Sequence, residues 1–340
     1  MVVAHDMASV VAEWLWRQDV AFAPPIQTFQ ITGGRSNLTY RIVDAEGRSF
    51  VLRRPPTGRV LATAHSMDRE WRFMRALHGT GVAVPRPVAF CDDPDVLGAS
   101  FYVMEHVDGV VLHGADNARV LSSPARGAVS AGIAVTLARL HAVDVETVGL
   151  SDVGRGTDYV ARQLRRWHGQ WEKTRAAAGL DIPAIEEGCR ILEAAVPEQR
   201  STDIVHGDFR LGNVVTGWDG TIRAVLDWEL ATLGDPRADL GWLLLTWDEA
   251  GAPSRLPGFG GRQKIIESYS RSAGEDAATD IDFFVAFAAW RWACISAGVY
   301  ARYQAGVMGA ETADLAAILD AVRGRAEYAL DVIAGRHSLA

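Results

Sequence analysis

The segment IVHGDFRLGNVV at residues 204–215 constrains the fold of this chain more than any other. His206, Asp208 and Asn213 interrupt otherwise apolar text, and a strand that only filled a core would not need them. A second apolar run, AVLDWE at residues 224–229, follows closely. The pattern indicates a polar loop that leads into paired, buried strands.

An Asp219-Gly220 turn separates the two apolar runs and predicts a β-hairpin. One strand begins just after Asn213, and the other ends just before Asp227. Because the turn lies about midway between them, we expect these two side chains to meet at the open end of the hairpin.

The residue types at this end of the hairpin favour phosphate chemistry. The Asn213 carbonyl oxygen beside the Asp227 carboxylate is an oxygen-only pair, which suits Mg²⁺ rather than Zn²⁺. Asp208 lies five residues before Asn213, close enough to accept a proton from a hydroxyl that attacks a metal-bound phosphate. Either Asp alone is more often a turn or cap residue, whereas the ordered set favours a catalytic site.

HGDFRLGN resembles the H-G-D-x-x-x-x-N loop of the aminoglycoside phosphotransferases and their relatives with the protein-kinase-like fold. Asp227 in LDWE matches the second metal-binding Asp of that family. The resemblance implies that Asp208 is the catalytic base, that Asn213 and Asp227 hold Mg²⁺, and that the nucleotide is ATP, with GTP as an alternative. It also implies that His206 supports the catalytic loop, and a satisfied core histidine is the other interpretation of His206.

Glu70 is the second unusual residue, because it falls inside the apolar stripe of a predicted helix over residues 65–78. An unpaired carboxylate there would be costly, so Glu70 is expected to have a cationic partner. Arg53, at the end of the strand SFVLR, is the candidate, with Arg54 as the register alternative and a surface salt bridge as the simpler explanation. The kinase-like resemblance implies that this pair positions the phosphates of ATP, with Arg53 where the family usually has Lys.

The turn ITGGRSNLTY, residues 31–40, lies where the kinase-like fold has its phosphate-covering hairpin. Backbone N–H groups around Gly34, Ser36 and Asn37 could cradle phosphate oxygens there. The segment lacks the G-x-G-x-x-G spacing of protein kinases, so a plain Gly-Gly hairpin turn is the alternative.

The segment FYVMEHVDG, residues 101–109, resembles the strand and connector that hold adenine in that fold. The resemblance implies that Met104 lines the adenine pocket and that the backbones of Glu105 and Val107 face the base. A buried strand followed by a turn is the alternative interpretation.

Alternating apolar residues predict antiparallel hairpins over residues 26–50, whereas long helical patterns dominate beyond Gly109. Together with the resemblance they predict an α+β, bilobal, protein-kinase-like fold with a small antiparallel β-sheet lobe and a larger, mainly helical lobe. The expected lobes are residues 1–107, which bind the nucleotide, and residues 108–340, which carry the catalytic loop and the acceptor pocket. The predicted helices of the larger lobe span residues 125–141, 158–178, 183–195, 282–304 and 310–333.

Charge and targeting signals exclude several classes of protein. A net charge of −8 and a pI near 5.6 give no broad basic surface for nucleic acid. Three separated cysteines form no disulfide or zinc pattern, and the N-terminus lacks a secretory signal, so we expect a cytoplasmic chain. The apolar stretch 283–301 approaches membrane length, but Arg291 in its middle favours a buried helix, so no membrane partner is expected.

These features predict an ATP- and Mg²⁺-dependent phosphotransferase that acts on a hydroxyl of a small molecule. A nucleotide-binding module with little or no turnover is the alternative, because Arg replaces the usual Lys. A protein kinase is disfavoured, since Asp239 opens the next helix only twelve residues after Asp227 and leaves no long activation segment. By resemblance Asp239 braces the catalytic loop, and an ordinary helix N-cap is the alternative.

The acceptor is expected to be neutral or anionic with an apolar part. Basic and aromatic residues occur together in two predicted helices, the candidate lid helix DYVARQLRRWHGQWEKTR and the helix FFVAFAAWRWACISAGVYARY. This combination suits a polycationic aminoglycoside poorly. The alternative is that these arginines lie on solvent-exposed faces or pair with nearby carboxylates, as most such residues do. The residues concerned are Arg162, Arg165, Arg166, Trp167, Trp171, Lys173, Arg175, Trp290, Arg291, Tyr300 and Arg302. VLRRPP, DREWRFMRAL and the second of these helices are also similar to the kinase-like domains fused to acyl-CoA dehydrogenases.

Overall fold

The computed structural model describes residues 4–31, 37–56, 67–307 and 313–337. Its strands are β1 (Gln27–Ile31), β2 (Leu38–Val43), β3 (Ser49–Arg54), β4 (Pro87–Cys91), β5 (Phe101–Glu105), β6 (Val110–Val111), β7 (Asp203–Val205), β8 (Val214–Thr216), β9 (Ile222–Val225) and β10 (Thr232–Gly234). Its helices are α1 (Ala4–Arg17), α2 (Met67–Leu77), α3 (Pro94–Leu97), α4 (Ala115–Ala118), α5 (Ser123–His141), α6 (Tyr159–Ala178), α7 (Pro183–Ala194), α8 (Arg237–Trp247), α9 (Arg262–Ala273), α10 (Ile281–Gln304) and α11 (Leu315–Ile333).

Five strands near the N-terminus form an antiparallel sheet in the order β1-β2-β3-β5-β4. Because side chains alternate along a strand, β3 presents two different faces. Phe50 and Leu52 pack in a cluster with α1, whereas Val51 packs in a cluster with α2. The same alternation places Arg53 on the α2 face and Arg54 on the opposite one, so the sheet selects Arg53 as the residue facing that helix.

The rest of the described chain is mainly helical, and α10 lies at its centre. This helix packs against α6, α8 and α11. Among the described helices, only the stretch Glu275–Gln304 that contains α10 is long and apolar enough to cross a membrane, and 72% of its most apolar window is buried inside the protein. Such burial is what a core helix shows.

Several short elements escape the sequence patterns. Besides the predicted hairpin of β8 and β9, the strand β6 pairs with β8, and β7 pairs with β10 in a separate two-stranded sheet. These extra strands have two or three residues, too few to show a periodicity. β4 begins at Pro87 on the edge of the sheet, where a missing N–H is tolerated. α11 begins at Leu315 and not at residue 310, because Asp314 is its N-cap and accepts the N–H of Ala317 at 3.0 Å.

The sheet and the helical part meet at α2 and the β8–β9 hairpin. Phe73 of α2 stacks on Trp228, with ring centroids 6.3 Å apart. The N–H of Val225 donates to the carbonyl of Ala83 at 2.7 Å. The fold is therefore α+β, with a small antiparallel sheet lobe seated on the hairpin that carries the predicted site.

Candidate active site

Asp208 lies on the loop between β7 and β8, and both of its carboxylate oxygens accept hydrogen bonds. Trp242 of α8 donates from Nε1 to Oδ1 at 2.7 Å, and Asn213 donates from Nδ2 to Oδ2 at 2.7 Å. Asn213 also donates to the backbone carbonyl of Asp208 at 2.8 Å, and the guanidinium of Arg210 lies 3.3 Å from Oδ1. The carboxylate is therefore fixed in orientation, yet the side chain is 23% exposed and accessible to a substrate.

Two buried side chains hold the backbone of this loop. Asp239 of α8 accepts the N–H of His206 at 2.6 Å and that of Gly207 at 2.8 Å. His206 is fully buried and uses both ring nitrogens on the backbone: Nε2 lies 2.9 Å from the carbonyl of Leu226, and Nδ1 accepts the N–H of Asp208 at 3.2 Å. His206 and Asp239 thus support the loop from the side of the core.

Asp239 is a buried carboxylate whose surroundings favour its charged form. Burial alone would raise its pKa, but a hydrogen bond from His141, the electrostatic influence of the His141 and His206 rings and the N–H of Gly207 outweigh this effect and lower the pKa below 3.8. His141 Nε2 lies 3.4 Å from the carboxylate, and its Nδ1 lies 2.7 Å from the hydroxyl of Tyr269. Asp239 sits within α8, inside the helix and not at its cap.

Asp227 lies at the open end of the β8–β9 hairpin. The N–H of Leu226 donates to the carbonyl of Asn213 at 2.8 Å, so the two strands meet here, one residue before Asp227. Asp227 adopts φ +69° and ψ +64°, in the left-handed region that non-glycine residues seldom occupy. This conformation turns the chain from β9 directly into a 3₁₀ turn at Trp228–Leu230.

The ion pair expected between Arg53 and Glu70 is present. Arg53 Nη1 lies 3.2 Å from Glu70 Oε2, and its Nη2 lies 3.0 Å from Asp227 Oδ1. Glu70 also accepts hydrogen bonds from the hydroxyl of Tyr102 and from Asn37 Nδ2, both at 2.8 Å. The guanidinium therefore connects α2 to the hairpin end that carries Asp227.

The buried position of this network shifts the pKa values of Glu70 and Arg53. Burial is the largest influence on Glu70 and raises the pKa of its carboxyl, although the charge of Arg53 and the bonds from Tyr102 and Asn37 act in the opposite direction. Burial acts to lower the pKa of Arg53, but Tyr102, Glu70 and Asp227 together raise it. Arg53 consequently stays charged between the two carboxylates.

The donor atoms at this end of the hairpin fit a hard cation. Carboxylate oxygens of Asp227 and Glu229 lie within 4.8 Å of each other and of Glu70, whose own two oxygens are already engaged by Arg53, Tyr102 and Asn37. Both hydrogen bonds from Asn213 to Asp208 use its amide nitrogen, so Oδ1 is the side-chain atom that can serve as a ligand. An all-oxygen set is what Mg²⁺ prefers.

The remaining predicted nucleotide residues lie in different surroundings. Gly34 and Ser36 fall outside the described residues, whereas Asn37 is buried and donates to Glu70. Met104 is buried on the α2 face of the sheet. Glu105 ends β5, with its N–H donating to the carbonyl of Arg86 at 2.9 Å, and Val107 follows in the connector.

A cavity of about 1010 Å³ opens beside Asp208. Its apolar lining includes four tryptophans, which are Trp167, Trp242, Trp247 and Trp292. Its charged lining consists of Arg69, Arg166, Arg210, Arg291 and Arg302 against Asp208, Glu229 and Glu249. The cavity is thus aromatic and carries more basic than acidic side chains.

The cavity takes in only some of the residues expected to face the acceptor. Arg166, Trp167, Arg291 and Arg302 line it, whereas Arg162, Arg165, Trp171, Lys173, Arg175, Trp290 and Tyr300 do not. Trp171 and Trp290 are core residues: both are fully buried, and their indole N–H groups donate to Glu186 and to the carbonyl of Ile185. Arg175 pairs with Glu186 at 3.1 Å. The helical pattern alone could not separate the cavity face of α6 and α10 from the core face.

Three residues at the site escape the sequence reasoning. Arg210 and Glu229 lie inside the motifs HGDFRLGN and LDWE. Their closeness in sequence to Asp208 and Asp227 could have marked them as residues of the site. Trp242 has no such signal, because it lies 34 residues from Asp208 in an apolar helix. Its contact depends on how α8 packs.

Comparisons with known proteins agree with this architecture. The model of the phosphotransferase enzyme family (APH) matches residues 28–274. Acyl-CoA dehydrogenase family member 10 of Mus musculus is 35% identical over 305 residues, which cover 85% of this chain and only 28% of that relative. The chain thus spans little more than a quarter of that longer protein.

Solved structures extend the likeness over nearly the whole chain. The solved structure of a proposed aminoglycoside phosphotransferase from Ralstonia eutropha is 31% identical to this chain, with a TM-score of 0.81. The match covers 96% of this chain and 98% of that protein. The ADP-bound aminoglycoside phosphotransferase APH(2'')-Ib shares the fold, with a TM-score of 0.59 at 17% identity over 96% of this chain and 99% of its own. This chain therefore belongs to the phosphotransferase enzyme family and has its bilobal, protein-kinase-like fold.

Proposed function

We propose that this chain is an ATP- and Mg²⁺-dependent phosphotransferase that transfers the γ-phosphate to a hydroxyl group of a small molecule. The observation that carries the proposal is the carboxylate of Asp208, held on both oxygens and placed on the wall of a large cavity. Membership of the phosphotransferase family supports the reaction class, and the ADP bound to a protein of the same fold supports a nucleotide as the phosphate source.

In the proposed reaction, Asp208 orients the acceptor hydroxyl and accepts its proton as the oxygen attacks the γ-phosphorus. The bond between that phosphorus and the bridging oxygen of ADP breaks, and ADP leaves. Mg²⁺ held by Asn213 and Asp227 would neutralise charge on the triphosphate. His206 and Asp239 keep the loop backbone in place, so most of the rate acceleration comes from positioning.

The lobe of residues 1–107 is proposed to bind the nucleotide, and residues 108–340 to carry the catalytic loop and the acceptor pocket. Arg53, kept charged by Glu70, would contact the phosphates. We further assign phosphate or adenine contacts to Gly34, Ser36, Asn37, Met104, Glu105 and Val107. The buried position of Met104 beside the α2 cluster supports a role in shaping the adenine side of the cleft.

The lining of the cavity supports a neutral or anionic acceptor with an apolar part. Its tryptophans offer flat apolar surface, and its arginines outnumber its carboxylates. A polycationic acceptor would have to approach these guanidinium groups at a cost in charge repulsion.

A nucleotide-binding module with little turnover remains the second candidate, and one contact favours it. Arg53 Nη2 bonds Oδ1 of Asp227, the carboxylate proposed to hold the metal. A cation that uses both oxygens of Asp227 must displace this bond.

The test is to incubate the purified chain with Mg²⁺ and ATP, with and without a panel of hydroxylated acceptors, and to follow ADP and the phosphorylated product by mass spectrometry. We expect slow ADP formation alone, faster formation with a true acceptor, and a loss of both in Asp208→Asn. Binding of Mg²⁺-ATP without ADP formation above background, with or without any acceptor, would refute the enzyme and favour the binding module.

A further inference from the structure

We infer that Trp242 and Arg291 are positioning residues that hold the catalytic loop at Asp208, an inference that rests on the proposed function. Trp242 Nε1 donates to Asp208 Oδ1 at 2.7 Å. The guanidinium of Arg291 lies over the Trp242 ring, 4.7 Å from its centroid, and its Nη2 donates to the carbonyl of Gly207 at 3.0 Å. Trp242 thus holds the carboxylate of Asp208, and Arg291 holds both Trp242 and the peptide between Gly207 and Asp208.

The Gly207 peptide makes this arrangement restrictive. Gly207 has φ +84°, and a Cβ at this position would lie 2.9 Å from the side chain of Leu230, so the loop has little freedom to turn here. Its N–H donates to Asp239, and its carbonyl accepts from Arg291. The two peptide planes on either side of the Gly207 Cα are therefore each held, the first by Asp239 of α8 and the second by Arg291 of α10.

The environment of Arg291 indicates that its position serves more than stability. It is 7% exposed in the centre of the apolar helix α10, and its Nε has no hydrogen-bond partner among the described residues. The charge contacts a π face and a carbonyl, and no carboxylate of the described chain forms an ion pair with it. Such a group costs more to bury than an apolar one would. Its contacts converge on the catalytic loop.

A carboxylate that must accept a proton from a bound hydroxyl has to point at it, and small misplacements reduce turnover strongly. Asn213 fixes one oxygen of Asp208 at 2.7 Å, whereas Arg210 Nε lies at similar, longer distances from both oxygens, 3.3 and 3.4 Å, and so does not by itself select an orientation. The indole N–H of Trp242 fixes the other oxygen. Removal of this bond should lower kcat while leaving the nucleotide site intact.

The variant Trp242→Phe tests this, because it keeps an aromatic ring under Arg291 while it removes the indole N–H together with part of the ring volume. Trp290→Phe is the matched control, since Trp290 is a buried tryptophan whose N–H donates to a core carbonyl away from the site. With Mg²⁺ and ATP, and water as the acceptor, we expect Trp242→Phe to lower kcat about tenfold or more with KM for ATP unchanged. The control should change neither.

Two further measurements separate positioning from a general structural role. The affinity for Mg²⁺-ATP, measured by titration, should be the same in Trp242→Phe and in wild type, whereas a loss of affinity as large as the loss of kcat would overturn this inference and leave the proposed function standing. In spectra of ¹⁵N-tryptophan-labelled protein, Asp208→Ala should shift the Trp242 indole resonance and leave that of Trp290 in place. An unshifted Trp242 resonance would overturn the contact itself.

Arg291→Lys serves as the second variant, in case Trp242→Phe alters folding. It keeps the charge and loses the planar fork that reaches both Trp242 and Gly207. We expect a smaller fall in kcat, again with the affinity for Mg²⁺-ATP unchanged; a fall in affinity of the same size would count against the inference. A wild-type chain without any ATP turnover would overturn the proposed function and this inference together.

Discussion

Arg53 Nη2 donates to Asp227 Oδ1 at 3.0 Å, although 174 positions separate the two residues in the chain. The same guanidinium reaches Glu70 through Nη1 at 3.2 Å. The arginine fork gives each carboxylate a separate nitrogen in a fixed geometry, which the single ammonium nitrogen of a lysine cannot do. Arg53 therefore ties the sheet lobe to the hairpin end that carries the candidate metal ligand.

The first prediction concerns this pair. A double-mutant cycle with Arg53→Met and Glu70→Gln should show a coupling of about 1 kcal/mol or more in the affinity for Mg²⁺-ATP, because Arg53→Met leaves the buried Glu70 carboxylate without its cation, whereas in Glu70→Gln that carboxylate is already absent. Isothermal titration calorimetry measures it. The exposed ion pair Arg190–Glu187 on α7 is the control, and the same kind of cycle on it should show no coupling in the affinity for Mg²⁺-ATP. Additive effects of Arg53→Met and Glu70→Gln would contradict the proposed cooperation.

The second prediction is that Asp227→Ala abolishes phosphoryl transfer and weakens Mg²⁺-nucleotide binding. The hairpin end loses its charged oxygen ligand, and turnover should fall by about 100-fold or more. Titrating Mg²⁺ at fixed ATP, together with a turnover assay, measures both effects. Undiminished affinity combined with full turnover would rule out Asp227 as a metal ligand.

The third prediction separates Asp208 from Asp227. Asp208→Asn removes a proton acceptor and no proposed metal ligand, so the affinity for Mg²⁺-ATP should stay within about twofold while turnover falls about 100-fold or more. The two variants should therefore differ in binding and agree in turnover. Wild-type turnover by Asp208→Asn on a true acceptor would show that another group takes the proton.

The sequence predicts those parts of the site whose residues lie close together along the chain. His206, Asp208, Asn213 and Asp227 lie on one loop and one hairpin, so their spacing fixes their neighbourhood. The contact between Arg53 and Glu70 was also predictable, because a carboxylate inside an apolar stripe requires a cation. The roles of all these residues remain predictions until variants are measured.

Contacts set by helix packing were beyond sequence reasoning. Trp242 reaches Asp208 over 34 residues, and Arg291 reaches Gly207 over 84. Both helices are apolar on nearly all sides, so no amphipathic stripe marks which residue faces the loop. For the same reason Trp290 looked like a cavity residue in the sequence and proves to be part of the core.

The fourth prediction uses the lowered pKa of Asp239. The pKa of Asp239 in the folded protein lies below the ordinary 3.8, so the unfolded chain binds the proton more tightly. The stability that Asp239 contributes is therefore present above pH 3.8 and is lost as the pH falls through the folded pKa. Asp239→Asn should lower the free energy of unfolding by about 3 kcal/mol at pH 7, because the charged partner of His141 and of two loop N–H groups is gone. Urea unfolding from pH 7 to pH 3 measures this. The gap to wild type should narrow below about pH 4; a gap that widens there would contradict the assignment.

The last prediction is that aminoglycosides of the kanamycin type are poor substrates. The cavity beside Asp208 carries Arg166 and Arg302, both exposed, along with Arg69, Arg210 and Arg291, and its carboxylates are fewer. One of those carboxylates, Asp208, is the proposed base and must meet the hydroxyl, not an ammonium group. A tricationic sugar would thus face net repulsion and would find few partners for its amines, whereas an anionic or neutral hydroxyl compound with an apolar part matches the arginines and tryptophans. Steady-state kinetics on kanamycin-type compounds decide the matter, with Arg166→Glu as a companion variant that should improve whatever weak activity exists. Efficient, saturable phosphorylation at low micromolar concentration by the wild-type chain would contradict this prediction and support an antibiotic kinase.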